Sequence, residues 1–234
     1  MTKKIGIMQP YFFPYLGYWQ LMNAVDEYVI YDDVNYIKNG WINRNNILLN
    51  GNKHLLTLPL EGASPFLPIN QIKITSNIIV KDKLLKTVEQ AYKKAPFFNE
   101  VFPIIYAVIK EESCLIEKAL ETQFTLVNNY LDITTKLVIS SHLEKNNNLA
   151  AEEKVIHICK LLNGTDYYNA IGGQQLYSKD DFAKENINLH FLKMNNIEYP
   201  QFKNTFVPSL SIIDVMMFNS KGTIKELLTQ YELL

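Results

Sequence analysis

Short apolar runs, separated by polar or turn-forming residues, mark the start of the chain. An apolar run at 4–8 predicts a buried strand. The pattern then predicts a helix over 15–24 and a second apolar strand over 27–31. A strand, a helix and a strand within about 30 residues predict a βαβ unit with a right-handed crossover.

The middle of the chain has a different pattern. Residues 35–52 are rich in Asn, Gly and aromatic residues with little periodicity, which predicts an irregular loop. The apolar side chains in this loop argue against disorder. Two β segments are predicted at 54–60 and 69–75, and helical periodicity predicts three helices at 78–93, 98–111 and 114–131.

The last third of the chain returns to alternating strands and helices. The predicted elements are a strand at 136–141, a helix at 150–162 with Gly164 just beyond its end, a strand at 166–170, a helix at 179–185, a strand at 189–194, and helices at 212–218 and 222–233. This alternation predicts an α/β fold with a mostly parallel, Rossmann-like sheet. We expect one domain over 1–234, with a helical insertion at approximately 78–131.

The composition limits the class of protein. Of 234 residues, 47% are apolar and 20% charged, which is typical of a globular chain. The net charge of −1 provides no general field for nucleic acid, so we expect no DNA partner. Two sparse cysteines, Cys114 and Cys159, fit a reducing compartment better than a disulfide scaffold. Without a signal-peptide pattern or a long apolar stretch, we expect a cytoplasmic protein with no integral membrane segment, and a homo-oligomer stays open.

Aromatic residues are concentrated around the predicted βαβ unit. Ten of them lie between positions 11 and 41, which is about one residue in three, whereas aromatic residues make up 12% of the whole chain. Core packing is one interpretation, because aromatic side chains bury a large area. The other is a ligand crevice, since ligands of open α/β sheets bind beyond the C-terminal strand ends. In that crevice Tyr11, Tyr15 and Tyr18 would stack on a sugar or base.

The segment from Tyr15 to Tyr18 has the spacing of the HxGH signature of nucleotidylyltransferase-type folds. Both His positions of that signature are Tyr in this chain. A Tyr hydroxyl can donate a hydrogen bond to phosphate but carries no positive charge at neutral pH. The spacing therefore argues for the fold more than for the activity.

Two carboxylates, Asp32 and Asp33, follow the second predicted strand. Adjacent side chains on an extended segment point to opposite sides, so we do not expect the two to act as a pair. One of them could serve as a general base or accept a sugar hydroxyl, while the other caps the turn. Two turn-forming aspartates are an equally good interpretation. No third carboxylate or His accompanies them at ligand spacing, so we expect no metal site.

Arginine occurs once in the chain, beside 22 lysines. Lys38, Trp41 and Arg44 recur every three residues. A guanidinium is a planar fork of donors that fits phosphate or carboxylate, which makes Arg44 a candidate phosphate ligand beside Lys38, with Trp41 free to stack. The structural alternative is an arginine that binds loop carbonyl groups.

A glycine pair, Gly172 and Gly173, follows the predicted strand at 166–170. Such a pair between a strand and a helix lets backbone N–H groups turn toward an anion. Simple turn formation is the more common reason for a glycine pair.

Several longer segments resemble the WbqC-like protein family. They are 8–18 (MQPYFFPYLGY), 31–36 (YDDVNY), 40–45 (GWINRN), 94–98 (KAPFF), 168–173 (YNAIGG) and 206–219 (FVPSLSIIDVMMFN). The resemblance covers essentially the whole chain. Gln9, Asn35 and Asn45 lie in these segments and are further candidates for substrate contacts.

The resemblance implies a process and a reaction class. The process is the biosynthesis of O-antigen or another bacterial surface polysaccharide, and the reaction class is transfer of glycine to the amino group of a sugar. The lead hypothesis is therefore a transferase that adds a small acyl group, such as glycyl, to a nucleotide-linked amino sugar. Its partners would be that nucleotide sugar and a small acyl donor, with no cofactor. The alternatives are a nucleotidylyltransferase-like enzyme that uses ATP or CTP, and a non-catalytic sugar-nucleotide-binding protein of the glycan assembly pathway.

Overall fold

A computed structural model of the protein describes residues 2–203 and 205–234. Its strands are Lys4–Met8 (β1), Glu27–Ile30 (β2), Arg44–Leu49 (β3), Asn52–Thr57 (β4), Leu60–Glu61 (β5), Lys73–Ile74 (β6), Lys136–Ile139 (β7), Asp166–Ala170 (β8), Asn188–Met194 (β9) and Tyr231–Leu233 (β10). Its helices are Leu16–Asn23 (α1), Ile78–Tyr92 (α2), Phe98–Ile109 (α3), Ile116–Leu131 (α4), Ala151–Leu161 (α5), Lys179–Lys184 (α6), Ile212–Phe218 (α7) and Lys221–Leu227 (α8). Short 3₁₀ turns lie at Ile69–Gln71, Ser140–His142 and Ile171–Gly173.

A six-stranded sheet with the order β10-β9-β8-β1-β2-β7 is the centre of this mixed α/β fold. Neighbouring strands are parallel except β10, which pairs antiparallel with β9, so the prediction of a mostly parallel sheet is confirmed. Met8, Ile30 and Ile139 lie at one level across β1, β2 and β7. From β1 the chain first adds β2 and β7 on one side and later adds β8 and β9 on the other. The strand order therefore reverses between β1 and β8.

Both faces of the sheet are covered. Successive side chains of a strand point to opposite faces, so each strand contributes to two cores. Ile7 and Val29 belong to a core cluster that includes residues of α5 and α6. Tyr28 and Ile30 belong to the other cluster, which includes Trp19 of α1. Burial on both sides explains why β1 and β2 are apolar beyond their first residues.

The predicted irregular loop at 35–52 is wrong in its second half. Residues Arg44–Leu49 form β3, which pairs with β4 in a hairpin. Asn50 and Gly51 make the connection with φ angles of 52° and 76°. Two successive left-handed residues match the twist of a two-residue hairpin, and Asn-Gly is the strongest short signal for one.

The predicted helix at 222–233 is also too long. Helix α8 ends at Leu227, and the last residues form β10 at the sheet edge. Gln20 of α1 donates from Nε2 to the carbonyl oxygens of Leu227 and Gln230, at 2.8 and 3.0 Å. This buried amide occupies carbonyl groups at the helix end and turns the chain into the strand.

Three helices, α2 to α4, lie between β2 and β7 along the chain, in the stretch where a helical insertion is predicted. The β3–β4 hairpin and the small β5–β6 pair precede them. The side chain of Asn77 caps α2 by accepting from the backbone N–H of Ile79 at 3.0 Å.

A buried carboxylate fastens the irregular segment that precedes α7. Asp214 accepts hydrogen bonds from the hydroxyls of Tyr92 and Tyr199, at 2.9 and 2.8 Å, and from Gln201 Nε2 at 2.6 Å. Burial raises the pKa of the Asp214 carboxyl although three donors favour its charged form. The side chain thus joins α2, α7 and the segment around 199–201.

Asp214→Ala should lower the free energy of unfolding by about 3 kcal/mol or more, because three buried donors lose their acceptor at about 1–3 kcal/mol each. Urea unfolding measures the change. Asp180→Ala, at an exposed position of α6, is the control and should stay within about 0.5 kcal/mol of the parent. Equal effects of the two substitutions would contradict the role of Asp214.

The raised pKa of Asp214 has a consequence for pH dependence. Because folding raises this pKa, the contribution of the carboxyl to stability is fully present at low pH and is lost as pH rises through the folded-state pKa. Asp214→Asn should flatten this part of the curve of unfolding free energy against pH. Superimposable slopes for parent and variant between pH 3 and 7 would show the prediction to be wrong.

Candidate functional site

The C-terminal ends of three parallel strands bring polar side chains together. Gln9, Tyr31 and Ser140 each follow by one position the aligned ends of β1, β2 and β7. Alternation along the strands places the three on the α5 face, where Tyr31 and Ile171 pack against the core. They therefore form a row across one edge of the sheet.

This row lies beside the point where the strand order reverses. Helix α1 follows β1 on one face of the sheet and α6 follows β8 on the other, so the loops after β1 and β8 diverge. In open α/β sheets a ligand crevice forms at such a point, outside the carboxyl ends of the strands.

Buried oxygen atoms without a partner are concentrated at this edge. Nine buried side-chain oxygens lack a hydrogen-bond partner among the described residues. Four of the nine lie at these strand ends or the adjoining turn: Gln9 Oε1, Asp33 Oδ1, Asn70 Oδ1 and Ser140 Oγ. A buried polar group without a partner costs about 1–3 kcal/mol, so an ordered water or a ligand normally supplies the hydrogen bond that is missing here. The amide and carboxylate oxygens accept but cannot donate, which fits a ligand rich in hydroxyl or amino groups.

A buried lysine orients the Asp33 carboxylate. Lys145 Nζ lies 2.5 Å from Asp33 Oδ2 and also donates to the carbonyl oxygen of Ser140. The Lys145 side chain is only 1% exposed, and the pair leaves Asp33 Oδ1 free. We call Gln9, Asp33, Ser140 and Lys145 the strand-end cluster.

Asp32 has a different environment. Its Oδ1 accepts from the backbone N–H of Ser141 at 2.9 Å, and its Oδ2 accepts from the Ser141 hydroxyl at 2.6 Å and from Asn70 Nδ2 at 3.3 Å. With 1% exposure and both oxygens occupied, the side chain joins the ends of β2 and β7 to the 3₁₀ turn at Ile69–Gln71. The two aspartates thus have separate partners, as alternation predicts.

The Tyr31 hydroxyl beside Asp33 stays protonated at neutral pH. Burial, and then the negative charge of Asp33, raise the pKa of Tyr31. Burial also raises the pKa of Tyr177, whose ring packs against Tyr167. The Tyr31 hydroxyl is consequently a donor beside the acceptor-rich strand-end cluster.

The glycine pair lies at the C-terminal end of β8, the strand beside β1. Gly172 and Gly173 belong to the 3₁₀ turn that follows β8 directly. A Cβ at Gly173 would approach Asn169 Nδ2 to 2.7 Å, whereas the corresponding place at Gly172 is open. Positive φ among the described glycines is confined to Gly51 and Gly62, so the pair does not form a left-handed anion nest.

The predicted aromatic contacts lie mostly in the core. Tyr18 is fully buried, stacks on Phe124 at 5.8 Å between ring centroids, and donates its hydroxyl to the Gln9 carbonyl at 3.0 Å. The Tyr15 ring covers Gly17, where a Cβ would come within 2.5 Å of Tyr15 Cε2. Tyr11 is partly buried, and burial raises its pKa. Packing within the chain therefore explains the Tyr15–Tyr18 spacing.

Arg44 binds its own loop. Its Nε donates to the Gly40 carbonyl at 3.0 Å, and Nη2 donates to the Asn39 carbonyl. This is the structural alternative considered for a single arginine. A cavity of about 230 Å³ adjoins Arg44 and Lys38, and its lining includes no residue of the strand-end cluster.

The three remaining predicted contact residues, Trp41, Asn45 and Asn35, differ in their burial and in their partners. Trp41 is 44% exposed, and its carbonyl accepts from the Phe12 N–H at 2.9 Å. Asn45 is buried and donates to the carbonyls of Phe12 and Phe13, at 3.2 and 3.0 Å. Asn35 is exposed and bridges to Pro68. Of the predicted site residues, the structure brings Gln9 and Asp33 to the same strand ends and Gly172 and Gly173 to the adjoining turn.

Lys145, Ser140 and Tyr31 are members of this region that sequence reasoning missed. Lys145 lies in a polar Lys-Asn segment that is typical of a solvated loop. Ser140 was assigned to a strand, and its neighbours become evident only when β7 is placed beside β2. Tyr31 is the last residue of the strand predicted at 27–31, and this position at a strand end is the one signal that could have identified it.

Among residues 2–203 and 205–234, no three His, Cys, Asp or Glu side chains are grouped as metal ligands. Within the same residues, no helix combines the length and the apolar character that crossing a membrane requires.

The fold is that of an α/β protein with buried polar side chains at the C-terminal edge of a mostly parallel sheet. The model of the WbqC-like protein family matches residues 9–226, and the chain belongs to that family. It is 26% identical over 230 residues to the uncharacterized protein Rv1507c of Mycobacterium tuberculosis, with 93% of this chain and 94% of that protein covered. No solved structure matches the chain.

Removing either partner of the Asp33–Lys145 pair should be costly. We expect Asp33→Asn and Lys145→Met each to lower the free energy of unfolding by about 3 kcal/mol, because each leaves the other group buried without its partner. The double variant should be more stable than the sum of the two losses implies. Urea unfolding of all four proteins gives the coupling free energy.

The exposed pair Lys184 and Asp181 provides the control, since surface ion pairs contribute little. Its cycle should show no coupling outside experimental error. Strict additivity of Asp33→Asn and Lys145→Met would contradict the buried pair.

Proposed function

We propose that the protein is a cytoplasmic transferase of bacterial surface polysaccharide biosynthesis. It adds a small acyl group, such as glycyl, to the amino group of a nucleotide-linked sugar. The chain would act as one α/β domain, and the order of its strands supports a Rossmann-like sheet, since β7-β2-β1-β8-β9-β10 is the classical order 3-2-1-4-5-6.

The observation that carries this proposal is the set of buried oxygens without partners at the strand ends. Gln9 Oε1 and Asp33 Oδ1 are acceptors on neighbouring strand ends, and Ser140 Oγ adds a group that can accept or donate. An amino sugar presents adjacent amino and hydroxyl donors, which match such a row. A phosphate has no donors to offer it, so the sugar rather than the phosphate belongs in the strand-end cluster.

Asp33 rather than Asp32 has the geometry of the general base. Asp33 Oδ1 is free while Lys145 fixes the other oxygen, whereas both oxygens of Asp32 are occupied. In the transfer step the sugar nitrogen attacks the carbonyl carbon of an activated acyl donor, and a C–N bond forms. The bond from that carbon to the leaving group breaks, and the leaving group departs with the electron pair. The proton lost by the nitrogen passes to Asp33 Oδ1.

Matched ligands test the binding half of the proposal. UDP-, GDP- and dTDP-linked amino sugars, each beside its hydroxyl counterpart and the free nucleotide, are screened by thermal unfolding. One amino-sugar nucleotide should stabilise the protein by about 2.7 kcal/mol at 100 times its Kd, and its hydroxyl counterpart should stabilise it less. Stabilisation by free nucleotide alone, equal to that by the amino sugar, would contradict the assignment of the crevice.

Gln9→Leu separates stability from binding. Replacing an oxygen without a partner by an apolar group of similar size should leave the unfolding free energy unchanged or raise it by about 1 kcal/mol, since no hydrogen bond is lost. The same substitution should abolish most of the ligand-induced stabilisation. Gln71→Leu, at an exposed position, is the control and should bind as the parent does.

The chemical step is tested by Asp33→Asn. Its acyl transfer rate should fall by about 10²- to 10⁴-fold if the carboxylate is the general base, as followed by mass spectrometry of the amino-sugar nucleotide. Ligand-induced stabilisation of the same variant shows whether the crevice is intact. Full turnover by Asp33→Asn would exclude this role.

A further inference from the structure

Two neighbouring loops hold large apolar side chains in water. Asn35 and Pro68 form an antiparallel bridge, and the N–H of Tyr36 donates to the Leu67 carbonyl at 2.9 Å. Ile37 follows the first of these paired segments directly, and Phe66 precedes the second in a turn closed by the Leu67 N–H, which donates to the Ser64 carbonyl at 3.1 Å. The exposed fractions are 88% for Phe66, 50% for Ile37 and 44% for Trp41. We call Ile37, Lys38, Trp41 and Phe66 the two-loop surface.

Backbone contacts brace the first of these loops. The Gly40 N–H donates to the Ile37 carbonyl at 3.0 Å, and Arg44 Nε donates to the Gly40 carbonyl at 3.0 Å. At the other end, the Trp41 carbonyl accepts from Phe12 at 2.9 Å. The loop is therefore fixed in a conformation that keeps Ile37 and Trp41 outside the core, and such exposure is typical of an interaction surface.

The charge around these loops differs from that of the rest of the chain. Between positions 34 and 80 there are four basic residues and one acidic residue, Glu61. The remainder of the chain has 19 basic and 23 acidic residues. The two loops themselves, 35–44 and 62–68, carry Lys38 and Arg44 and no carboxylate. An anionic partner is thus attracted to this part of an otherwise acidic protein.

We propose that the two-loop surface binds peripherally to an anionic lipid bilayer. Phe66 and Ile37 enter the boundary between headgroups and acyl chains, and Trp41 lies at headgroup level, where indole rings are favoured. Lys38 contacts the lipid phosphates. A nucleic acid would use cations and stacking rings but has no use for an exposed Ile37, whereas a bilayer accommodates both kinds of side chain. This inference does not depend on what the strand-end cluster binds.

The two tryptophans make the contact directly measurable. Trp19 is fully buried and Trp41 is exposed, so a change in intrinsic fluorescence on lipid binding reports on Trp41. The full chain is mixed with vesicles of phosphatidylglycerol and phosphatidylcholine, or of phosphatidylcholine alone. We expect a blue shift and quenching by brominated acyl chains with the anionic vesicles, and weakening of both effects at high salt.

Variants test which residues are responsible. Phe66→Ser and Ile37→Ser together should weaken vesicle binding by at least about tenfold in a flotation assay, because two apolar anchors are removed. Tyr106→Ser, at a ring 49% exposed in α3, is the matched control and should bind as the parent does. Since all three positions are exposed, the variants should fold as the parent does, and circular dichroism spectra check this.

Three results would overturn the proposal. They are parent-like binding by the Phe66→Ser and Ile37→Ser variant, equal binding to neutral and anionic vesicles, and an unchanged Trp41 spectrum. Binding of an oligonucleotide in place of vesicles, with loss in the same variant, would assign the surface to nucleic acid instead. None of these results affects the amino-sugar assay, so the two proposals fail separately.

Discussion

A polar group that leaves water must find a partner in the protein or in a ligand, and this constraint shapes the C-terminal edge of the sheet. Asp32 meets it within the chain, since Ser141 and Asn70 occupy both carboxylate oxygens. The neighbouring Asp33 satisfies this requirement for only one of its two oxygens, because Lys145 binds one oxygen and leaves the other free. Asp32 therefore has a structural role, whereas Asp33 is a candidate binding group.

Much of the fold could be predicted because burial determines the pattern of the strands. The bounds of β1 follow from an apolar run that is covered on both faces. Strand β3 escaped prediction because its Asn-rich sequence lacks the alternation of a typical strand, and the Asn50-Gly51 dipeptide that makes the hairpin turn lies in a segment whose composition predicts an irregular loop. Strand β10 escaped because a contact from Gln20, distant in sequence, ends the preceding helix.

The candidate site could be predicted only in part. Asp33 was a candidate because it follows a predicted strand, and Gln9 because it lies in a segment that resembles the WbqC-like family. The structure places both at one edge of the sheet. Lys145 was not a candidate, because nothing in a polar Lys-Asn segment indicates a buried side chain. Only the fold brings this lysine to Asp33, which is distant in sequence. Arg44 illustrates the opposite case, since its rarity drew attention to a residue that the structure commits largely to its own loop carbonyls.

A crystal structure with a nucleotide-linked amino sugar bound tests the central claim most directly. The account predicts that the sugar amino or hydroxyl groups lie within hydrogen-bond distance of Gln9 Oε1 and Asp33 Oδ1, with Asp32 still bound to Ser141. A sugar seated in the cavity beside Arg44, with the strand-end cluster in contact with solvent alone, would contradict it.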